Sequence, residues 1–321
     1  MKISVIIPAY NVEHYIKECI TSIFSKISSD YEIVVINDGS TDDTARVLAE
    51  ISKINPHVKY FSTENQGQSA ARNYGVKKSS GDFIIFLDAD DKFALGALDH
   101  LFNIIEKYKC VSIFFFNGES FYEDESLDGY SFNYIRNNAF YNKVLNLQKF
   151  SYDTILSGDF IASPVLYLFK KELFYGNEFY PNIIHEDNLF TAKLMLSNNV
   201  SCLIVPEVIY LRRIRYGSVM TSTVKRKNII GYVTCARELT FLKADLPKSL
   251  HPAVNKLFTS WILEAWRLEK KFNLGCQLLI KNAVRESIVR SRYKFILTNA
   301  FIIFLLIKLK LIIKAVKRKL K

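Results

Sequence analysis

The chain has 321 residues, 49% of them hydrophobic, and carries a formal net charge of +11. That length and apolar fraction support a large folded domain with an additional region and exclude an intrinsically disordered protein. The five cysteines are odd in number, far apart and without a Cys-x-x-Cys pair, which argues against a disulfide framework or a zinc site and for a reducing cytoplasm.

The first 116 residues alternate short apolar runs with amphipathic stretches. The runs predict strands at Ile3–Pro8, Tyr31–Asn37, Val58–Ser62, Phe83–Asp88 and Val111–Phe116, with helices between them. This order predicts an α/β fold, with a mainly parallel sheet, flanking helices and right-handed crossovers. The first run is too short for the apolar core of a signal peptide, so the sequence predicts no export.

Helix signals and breaks predict the elements between and after these strands. Ser40 and Asp43 form a capping-box pattern for a helix that runs to about residue 53, and a short helix bracketed by glycines is expected over residues 69–74. Residues 118–152 are polar, aromatic and irregular, which predicts loops over the sheet. A helical pattern follows from about residue 228.

Several carboxylates follow the fourth strand. The run Ile84–Leu87 has no polar interruption and predicts a strand buried on both faces, so Asp88, Asp90 and Asp91 come at its carboxyl end, where open α/β sheets bind ligands. Mg²⁺ and Mn²⁺ usually bind one or two carboxylates, with substrate phosphates completing the shell. Asp88 and Asp90 suit that arrangement, whereas Asp91 could cap the next helix. The alternative is that these acids only end a strand and begin a helix.

The last fourteen residues are strongly basic. They contain seven cations and no acid: Lys308, Lys310, Lys314, Lys317, Arg318, Lys319 and Lys321. The apolar stretch before them is shorter than the roughly 20 residues of a spanning helix. If residues 300–321 are helical, lysines form one ridge and aliphatic residues lie largely opposite, which is typical of a helix in an anionic membrane interface. The alternative is a solvated helix that packs on its own domain. The cations cluster with aliphatic residues rather than aromatic ones, so no nucleic-acid binding is expected.

Four segments together resemble one protein family. They are Val5–Asn11, Val34–Asp42, Asn65–Asn73 and Phe86–Asp91, and in this order and spacing they closely resemble glycosyltransferase family 2. The resemblance covers residues 1 to about 220. It implies a GT-A fold, a nucleotide-sugar donor, a divalent metal (Mn²⁺ or Mg²⁺) and transfer with inversion at the anomeric carbon. A dinucleotide-dependent oxidoreductase is excluded, because the turn after the first strand lacks the G-x-G-x-x-G pattern.

The resemblance implies donor-binding roles for twelve residues. They are Pro8, Ala9, Tyr10, Glu13, Asp38, Gln66, Arg72, Asp88, Ala89, Asp90, Arg213 and Arg215. Asp38 would accept the imide hydrogen of uracil, and Arg72 would place its planar cation against the diphosphate. Asp90 would be the direct metal ligand, with Asp88 at the ribose or the metal. The alternatives are a turn carboxylate for Asp38, a surface salt bridge for Arg72 and a merely solvated basic loop around residues 213–215.

Transfer also needs a base, because an alcohol is a poor nucleophile at neutral pH. The segment Ile183–Phe190 resembles the Glu-Asp motif of the family at the start of a helix, which implies catalytic roles for Glu186 and Asp187, with Asp187 as the base. The alternative is that both acids only complement the helix dipole. His185 is expected to be a hydrogen-bonding neighbour.

These inferences predict one organisation and one function. Residues 1–225 would form the nucleotide-sugar-binding and catalytic domain, residues 226–295 a helical region, and residues 296–321 a membrane-associating helix. The expected enzyme is a metal-dependent hexosyltransferase that moves a sugar from a UDP-hexose or UDP-N-acetylhexosamine to a lipid-linked saccharide or lipopolysaccharide, as in O-antigen or capsule assembly. It would be peripheral on the cytoplasmic face of the bacterial cytoplasmic membrane, and a homodimer is left open. The alternative is a catalytically silent sugar-binding or scaffold subunit.

Overall fold

The computed structural model describes residues 1–27, 30–123, 134–215 and 224–290, with side chains through Ser287. The chain divides into two compact units. The first holds Met1–Thr223 together with Leu246–Ala253, and the second holds Val224–Asp245 and the chain from Val254 onward. The predicted basic helix over residues 296–321 lies outside the described residues.

The described part of the first unit contains strands and helices that alternate along the chain. The strands are β1 Ile3–Ala9, β2 Tyr31–Asp38, β3 Val58–Thr63, β4 Phe83–Phe86, β5 Lys92–Phe93, β6 Ile113–Tyr122, β7 Val144–Asn146, β8 Tyr167–Lys170 and β9 Ser201–Ile214. The helices are α1 Ile16–Thr21, α2 Thr44–Ile54, α3 Gln68–Lys78, α4 Ala97–Lys107, α5 Leu147–Ser157 and α6 Glu186–Ser197. The predicted α/β fold with a central sheet and flanking helices is confirmed.

One sheet connects all of these strands in the order β3-β2-β1-β4-β8-β6-β9-β5, and β7 pairs with β9. The strands β3, β2, β1 and β4 are parallel, as the alternation in residues 1–116 predicts. Beyond them the sheet is mixed, because β8 runs antiparallel to both β4 and β6, whereas β6 and β9 are parallel. Every residue of β1, β2 and β4 is buried, which explains their nearly continuous apolar sequence.

Three local predictions differ from the structure. The capping box at α2 does not form, because Ser40 Oγ accepts from the backbone N–H of Asn11 instead, at 3.1 Å. The backbone N–H of Thr44 at the start of α2 is bound by Asp42 Oδ1 at 3.0 Å. The fourth strand ends at Phe86, and the following carboxylates lie in a turn. The predicted loop region after residue 118 contains the end of β6 and most of α5.

Helix α3 is longer than predicted because Gly75 does not end it. A Cβ atom at Gly75 would lie 2.4 Å from Cγ2 of Ile6 on β1, a distance that side-chain atoms do not reach without a shift. Glycine therefore allows the helix to lie directly on the sheet, and α3 continues to Lys78. This close packing fixes the position of the polar residues on the same helix.

The second unit is helical over its described residues, with α7 Arg226–Asp245, α8 His251–Phe272, which begins in the first unit, and α9 Gln277–Arg290. Its buried apolar residues include Val233 on α7, Trp261 on α8 and Ile280 on α9. An ion pair joins Arg237 Nε to Glu286 Oε2 at 3.0 Å. Across the described ranges, no helix combines the length and apolar character needed to cross a lipid bilayer.

Candidate active site

The carboxyl ends of β2, β1 and β4 lie side by side at one edge of the sheet, because these three strands are adjacent and parallel. Pro8 and Ala9 end β1 as buried residues, and Tyr10 beyond them is 50% exposed. The bond from Asn11 N–H to Ser40 Oγ joins the turn after β1 to the turn after β2. Open α/β sheets bind ligands at this kind of edge.

Asp38, the last residue of β2, holds the turn that precedes α3. Its Oδ1 accepts from the backbone N–H of Gln66 at 2.9 Å, and its Oδ2 accepts from that of Gly67 at 2.8 Å. Gly67 has a φ of 85°, a conformation that glycine adopts without steric cost. Oδ1 also accepts from the Thr63 hydroxyl at 3.4 Å, so of the roughly four acceptor sites of the carboxylate the free one is on Oδ2. The turn role, which the sequence analysis kept as the alternative, is present, and the uracil role stays a prediction.

Glu13 lies at the beginning of α2 rather than in the open part of the edge. Its Oε2 accepts from the backbone N–H of Asp43 at 2.6 Å, and its own N–H donates to Asp42 Oδ2 at 3.1 Å. Glu13 thus joins the segment after β1 to α2, and its contact with the donor stays a prediction.

Arg72 on α3 is almost completely enclosed, with 1% of its side chain exposed. Its Nη2 donates to Asp88 Oδ1 at 2.8 Å and its Nη1 to Asp187 Oδ1 at 2.6 Å, while Glu186 Oε1 lies 3.4 Å from Nη1. Burial disfavours the charged guanidinium, but Asp187, Asp88 and Glu186 outweigh that effect and raise the pKa of Arg72. Arg72 Nε is buried and has no hydrogen-bond partner among the described residues, so the guanidinium is not fully paired. The prediction that Arg72 faces the diphosphate stays a prediction. The surface salt bridge is excluded, because the Arg72 side chain is only 1% exposed.

Glu186 and Asp187 begin α6 and differ in access to solvent. The Asp187 side chain is 36% exposed, whereas that of Glu186 is 11% exposed. Burial and the charge of Asp187 raise the pKa of Glu186 to about 7. Burial also raises the pKa of Asp187, although the Arg72 guanidinium opposes that change. Of the two acids, Asp187 is the one that a substrate hydroxyl can reach.

The three aspartates after β4 have separate surroundings. Asp88 also accepts from Gln68 Nε2 at 3.0 Å, while Asp90 is bound by Arg215. Asp91 is buried, and its carboxylate accepts from the Tyr210 hydroxyl and from the backbone N–H of Arg213. Burial and the neighbouring charges of Asp90 and Asp88 raise the pKa of Asp91 well above its usual range. The prediction that Asp91 caps the next helix is wrong, because Gly96 precedes α4.

The donor set around Asp88 and Asp90 suits a divalent metal bound together with a diphosphate. Their side chains are 30% and 25% exposed, and both supply the hard oxygen atoms that Mg²⁺ and Mn²⁺ prefer. No cluster of three or more His, Cys, Asp or Glu side chains in the described ranges is arranged to hold a metal. One or two carboxylates suffice, however, when phosphate oxygens supply other ligands. Ala89 between them is buried.

Arg213 and Arg215, at the end of β9 and just beyond it, both converge on Asp90. Arg213 Nε donates to the Asp90 carbonyl oxygen at 2.7 Å, and Arg215 Nε donates to Asp90 Oδ2 at 2.9 Å. The two guanidinium carbons lie 5.0 and 4.9 Å from the centre of the Tyr15 ring. Their side chains are only 9% and 21% exposed, so a merely solvated basic loop is excluded for these two residues.

Two residues of β9 were missed by the sequence analysis. Tyr210 binds Asp91, and Arg212 binds the hydroxyl of Tyr134 and lowers the pKa of Asp187 through its charge. Alternate residues of a strand point to opposite faces, so Tyr210 and Arg212 share one face and Arg213 lies on the other. That alternation was the available signal, but it is weak without knowledge of which face β9 turns toward the aspartates.

Comparison with known proteins gives a consistent family match. The family model described as "Glycosyl transferase family 2" matches residues 4–171. The protein named "Glycosyltransferase GlyA" of Streptococcus pneumoniae is 35% identical over 222 residues, which are 68% of this chain and 31% of that protein. The "GalNAc(5)-diNAcBac-PP-undecaprenol beta-1,3-glucosyltransferase" of Campylobacter jejuni is 39% identical over 102 residues, 31% of this chain and 33% of that protein. The chain therefore spans about a third of the length of each of these relatives.

A solved structure shares the fold over most of the chain. The structure of S. aureus TarS 1–349 in complex with UDP-GlcNAc has a TM-score of 0.68 and 22% sequence identity, and the match covers 90% of this chain and 81% of that one. At this level of identity the likeness establishes the fold alone.

Proposed function

The chain belongs to glycosyl transferase family 2, and from this premise we propose that it is an inverting, metal-dependent hexosyltransferase. The donor would be a UDP-hexose or UDP-N-acetylhexosamine. The acceptor would be a hydroxyl group of a lipid-linked saccharide or lipopolysaccharide in the assembly of a cell-surface polysaccharide. We take residues 1–225 as the catalytic domain and residues 226–295 as a helical region.

The observation that carries this proposal is the meeting of Asp88 and Asp187 at one guanidinium. Asp88 follows β4 at the ligand-binding edge, whereas Asp187 begins α6 and lies 115 residues after Arg72 in the chain. A donor at Asp88 and an acceptor hydroxyl at Asp187 would therefore be neighbours. Proximity and orientation of donor and acceptor lower the barrier of a direct group transfer.

The proposed reaction is a single displacement. Asp187 takes the proton of the acceptor hydroxyl as the oxygen forms a bond to the anomeric carbon, and the bond from that carbon to the nucleoside diphosphate breaks. The nucleoside diphosphate leaves with the bonding electrons, and Asp187 leaves the step protonated. Attack opposite the leaving group inverts the anomeric carbon. A divalent ion held by Asp88 and Asp90 would neutralise the charge that develops on the departing diphosphate.

The donor and acceptor classes rest on chemistry and on the relatives. Asp38 Oδ2 retains acceptor capacity for the imide N–H of a uracil base, and Tyr10, which follows the adjacent strand β1, offers an exposed ring. UDP-GlcNAc is bound in the TarS structure, which supports a UDP-sugar for this chain. The name of the Campylobacter jejuni relative gives an undecaprenol-linked saccharide as its acceptor, which supports a lipid-linked acceptor here.

We also propose a peripheral location on the cytoplasmic face of the bacterial membrane, through the basic residues 296–321. The support is the amphipathic pattern of their sequence, with seven cations and no acid among the last fourteen residues. Sedimentation with anionic vesicles would measure it. Removal of residues 296–321 is expected to abolish sedimentation, and equal sedimentation of both forms would contradict the proposal.

The decisive experiment measures release of free nucleotide from UDP-, GDP- and dTDP-sugars with Mn²⁺, with and without EDTA. Metal-dependent release from one donor that is lost in Asp90→Ala would establish the donor and the metal requirement. The second candidate, a catalytically silent sugar-binding subunit, predicts UDP binding in calorimetry without release from any donor, even with lipid-linked acceptor present.

A further inference from the structure

Arg72 joins the donor edge to the candidate base by direct ion pairs with Asp88 and Asp187. We propose that Arg72 is a positioning residue: it holds the Asp187 carboxylate at a fixed place relative to Asp88 and does not itself contact the donor. The inference rests on the proposed function, because it takes Asp187 as the base of a transfer reaction. It replaces the expectation that Arg72 clamps a diphosphate.

The geometry of the guanidinium is suited to this role. One terminal nitrogen of Arg72 binds Asp88 at 2.8 Å and the other binds Asp187 at 2.6 Å. Because the guanidinium is planar and rigid, the two carboxylates are held at a defined separation. A lysine could carry the same charge, but its single ammonium group could not impose that separation.

Aromatic rings pack against the Arg72 guanidinium. The guanidinium carbon lies 5.1 Å from the centre of the Phe179 ring, and that ring is stacked on Phe190 of α6 at 3.9 Å. The Phe86 ring lies 6.0 Å away on another side. The guanidinium therefore lies between rings from β4 and from the segment before α6, and its terminal nitrogens pair with Asp88, Asp187 and Glu186.

Helix α3, which carries Arg72, also binds the segment that precedes Asp187. The neighbouring residue Asn73 donates from Nδ2 to the Phe179 carbonyl oxygen and accepts from the Phe179 N–H, both at 2.9 Å. Helix α3 itself lies directly on β1 through Gly75. Two adjacent residues of one helix thus contact the segment that leads into α6 and the carboxylate of Asp187 at its start.

The positive charge of Arg72 also acts on Asp187 directly. Burial raises the pKa of Asp187, and Arg72 opposes that rise more than any other group. The charge of Arg72 therefore favours the ionised form of Asp187, which is the form that accepts a proton. Glu186 lies in the same cluster and has a pKa raised to about 7, but as an acid it supplies no positive charge to Asp187.

The test compares Arg72→Lys and Arg72→Met with Arg46→Met, a matched control. Arg46 also joins two carboxylates, Asp43 and Glu50, each at 2.8 Å, but it lies on the surface of α2. The first measurement is the affinity for UDP by calorimetry. The second is the titration of Asp187 in the ligand-free protein, followed by NMR of labelled carboxyl carbons and assigned with Asp187→Asn. The third is the pH dependence of transfer.

We expect both Arg72 variants to bind UDP within about threefold of wild type, because Arg72 does not contact the donor. In Arg72→Met the Asp187 carboxyl should titrate roughly 1 pH unit or more higher, and the acid limb of the transfer profile should move with it. Transfer by Arg72→Lys should fall by about a hundredfold, since the charge remains but the carboxylate is misplaced. Arg46→Met should change none of these.

Loss of UDP affinity in Arg72→Lys with an unshifted Asp187 titration would overturn the inference and restore a direct donor contact. If Arg72→Met does not fold, Arg72→Lys still tests the inference, because it keeps the positive charge. In that variant transfer must fall while the affinity for UDP is retained. The carboxyl titration needs no turnover, so an inactive wild-type protein would contradict the proposed function and leave the measurement of the Arg72–Asp187 coupling valid.

Discussion

The Asp90 carboxylate and the Arg215 guanidinium are bound to each other, with Nε and Nη2 of Arg215 at 2.9 and 2.8 Å from Asp90 Oδ2. The candidate metal ligand therefore has an arginine as its counter-ion. A divalent ion that binds Asp90 must compete with Arg215, and the displaced cation lies close to where a diphosphate would be. The charge state and contacts of Asp90 and Arg215 therefore depend on each other.

Substitution of Arg215 is expected to change metal affinity and donor affinity in opposite directions. Arg215→Ala should tighten Mn²⁺ binding in the absence of nucleotide by about fivefold, the factor that corresponds to a partly exposed ion pair of about 1 kcal/mol. The KM for the donor should rise, because a cation near the diphosphate is lost. Paramagnetic resonance of free Mn²⁺ measures the affinity. Arg237→Ala, which breaks the Arg237–Glu286 pair in the second unit, is the control, and equal Mn²⁺ affinity in both variants would contradict the prediction.

Substitutions of the two acids of α6, Glu186 and Asp187, are expected to lower the transfer rate by very different factors. Asp187→Asn should lower the transfer rate by about 10²- to 10⁴-fold while UDP affinity is retained, because the proton acceptor is lost and the donor edge is intact. Glu186→Gln should lower it far less, since the Glu186 side chain is only 11% exposed and cannot reach a hydroxyl. Steady-state transfer assays with one acceptor measure both. Similar losses in the two variants would show that exposure does not identify the base.

Glu32 is expected to stabilise the fold in a pH-dependent way. It accepts from Ser4 Oγ at 2.7 Å and from Lys59 Nζ at 2.8 Å. Burial raises its pKa, but bonds from Lys59, the Ser80 backbone and nearby hydroxyls outweigh burial and lower it to about 2. The folded-state pKa is below the ordinary value of 4.5, so this stabilisation is complete above that value and is lost as the pH falls toward 2.

Glu32→Gln should therefore reduce the free energy of unfolding by about 2 to 3 kcal/mol at pH 7, because charged hydrogen bonds to a buried group are lost. The difference from wild type should shrink at pH 3. Urea unfolding at the two pH values measures it, with the exposed Glu50→Gln as a control that should stay within about 0.5 kcal/mol. A difference that does not depend on pH would show that packing, not charge, is the cause.

The close approach of α3 to β1 predicts a specific cost at Gly75. Gly75→Ala should destabilise the protein by about 1 to 3 kcal/mol, because the added Cβ would lie 2.4 Å from Ile6 Cγ2. Transfer should fall as well, since Arg72 is on the same helix. Adding Ile6→Ala removes the overlapping atom, so the double variant should be more stable than the sum of the single changes predicts. Simple additivity of the two effects would argue against the close packing.

Much of the donor edge was predictable from sequence because its residues are close together in the chain. Asp88 and Asp90 follow an uninterrupted apolar strand, and Pro8 to Tyr10 follow another, so the rule for parallel sheets places them at one edge. Asp91 was less predictable. Its burial depends on Tyr210 and on the backbone of Arg213, which come from a strand more than a hundred residues later.

The sequence by itself determined the family, the α/β fold and the candidate acids, since periodicity and short motifs are local properties. Only the tertiary structure decided that Arg72 is enclosed, that it binds Asp88 and Asp187 together, and that Arg215 is the counter-ion of Asp90. The physical reason is that burial and ion pairing depend on which elements pack against one another. The sequence around Arg72 does not indicate that Asp187, 115 residues later in the chain, will be its partner, because that contact forms only when α6 packs beside α3 and β4.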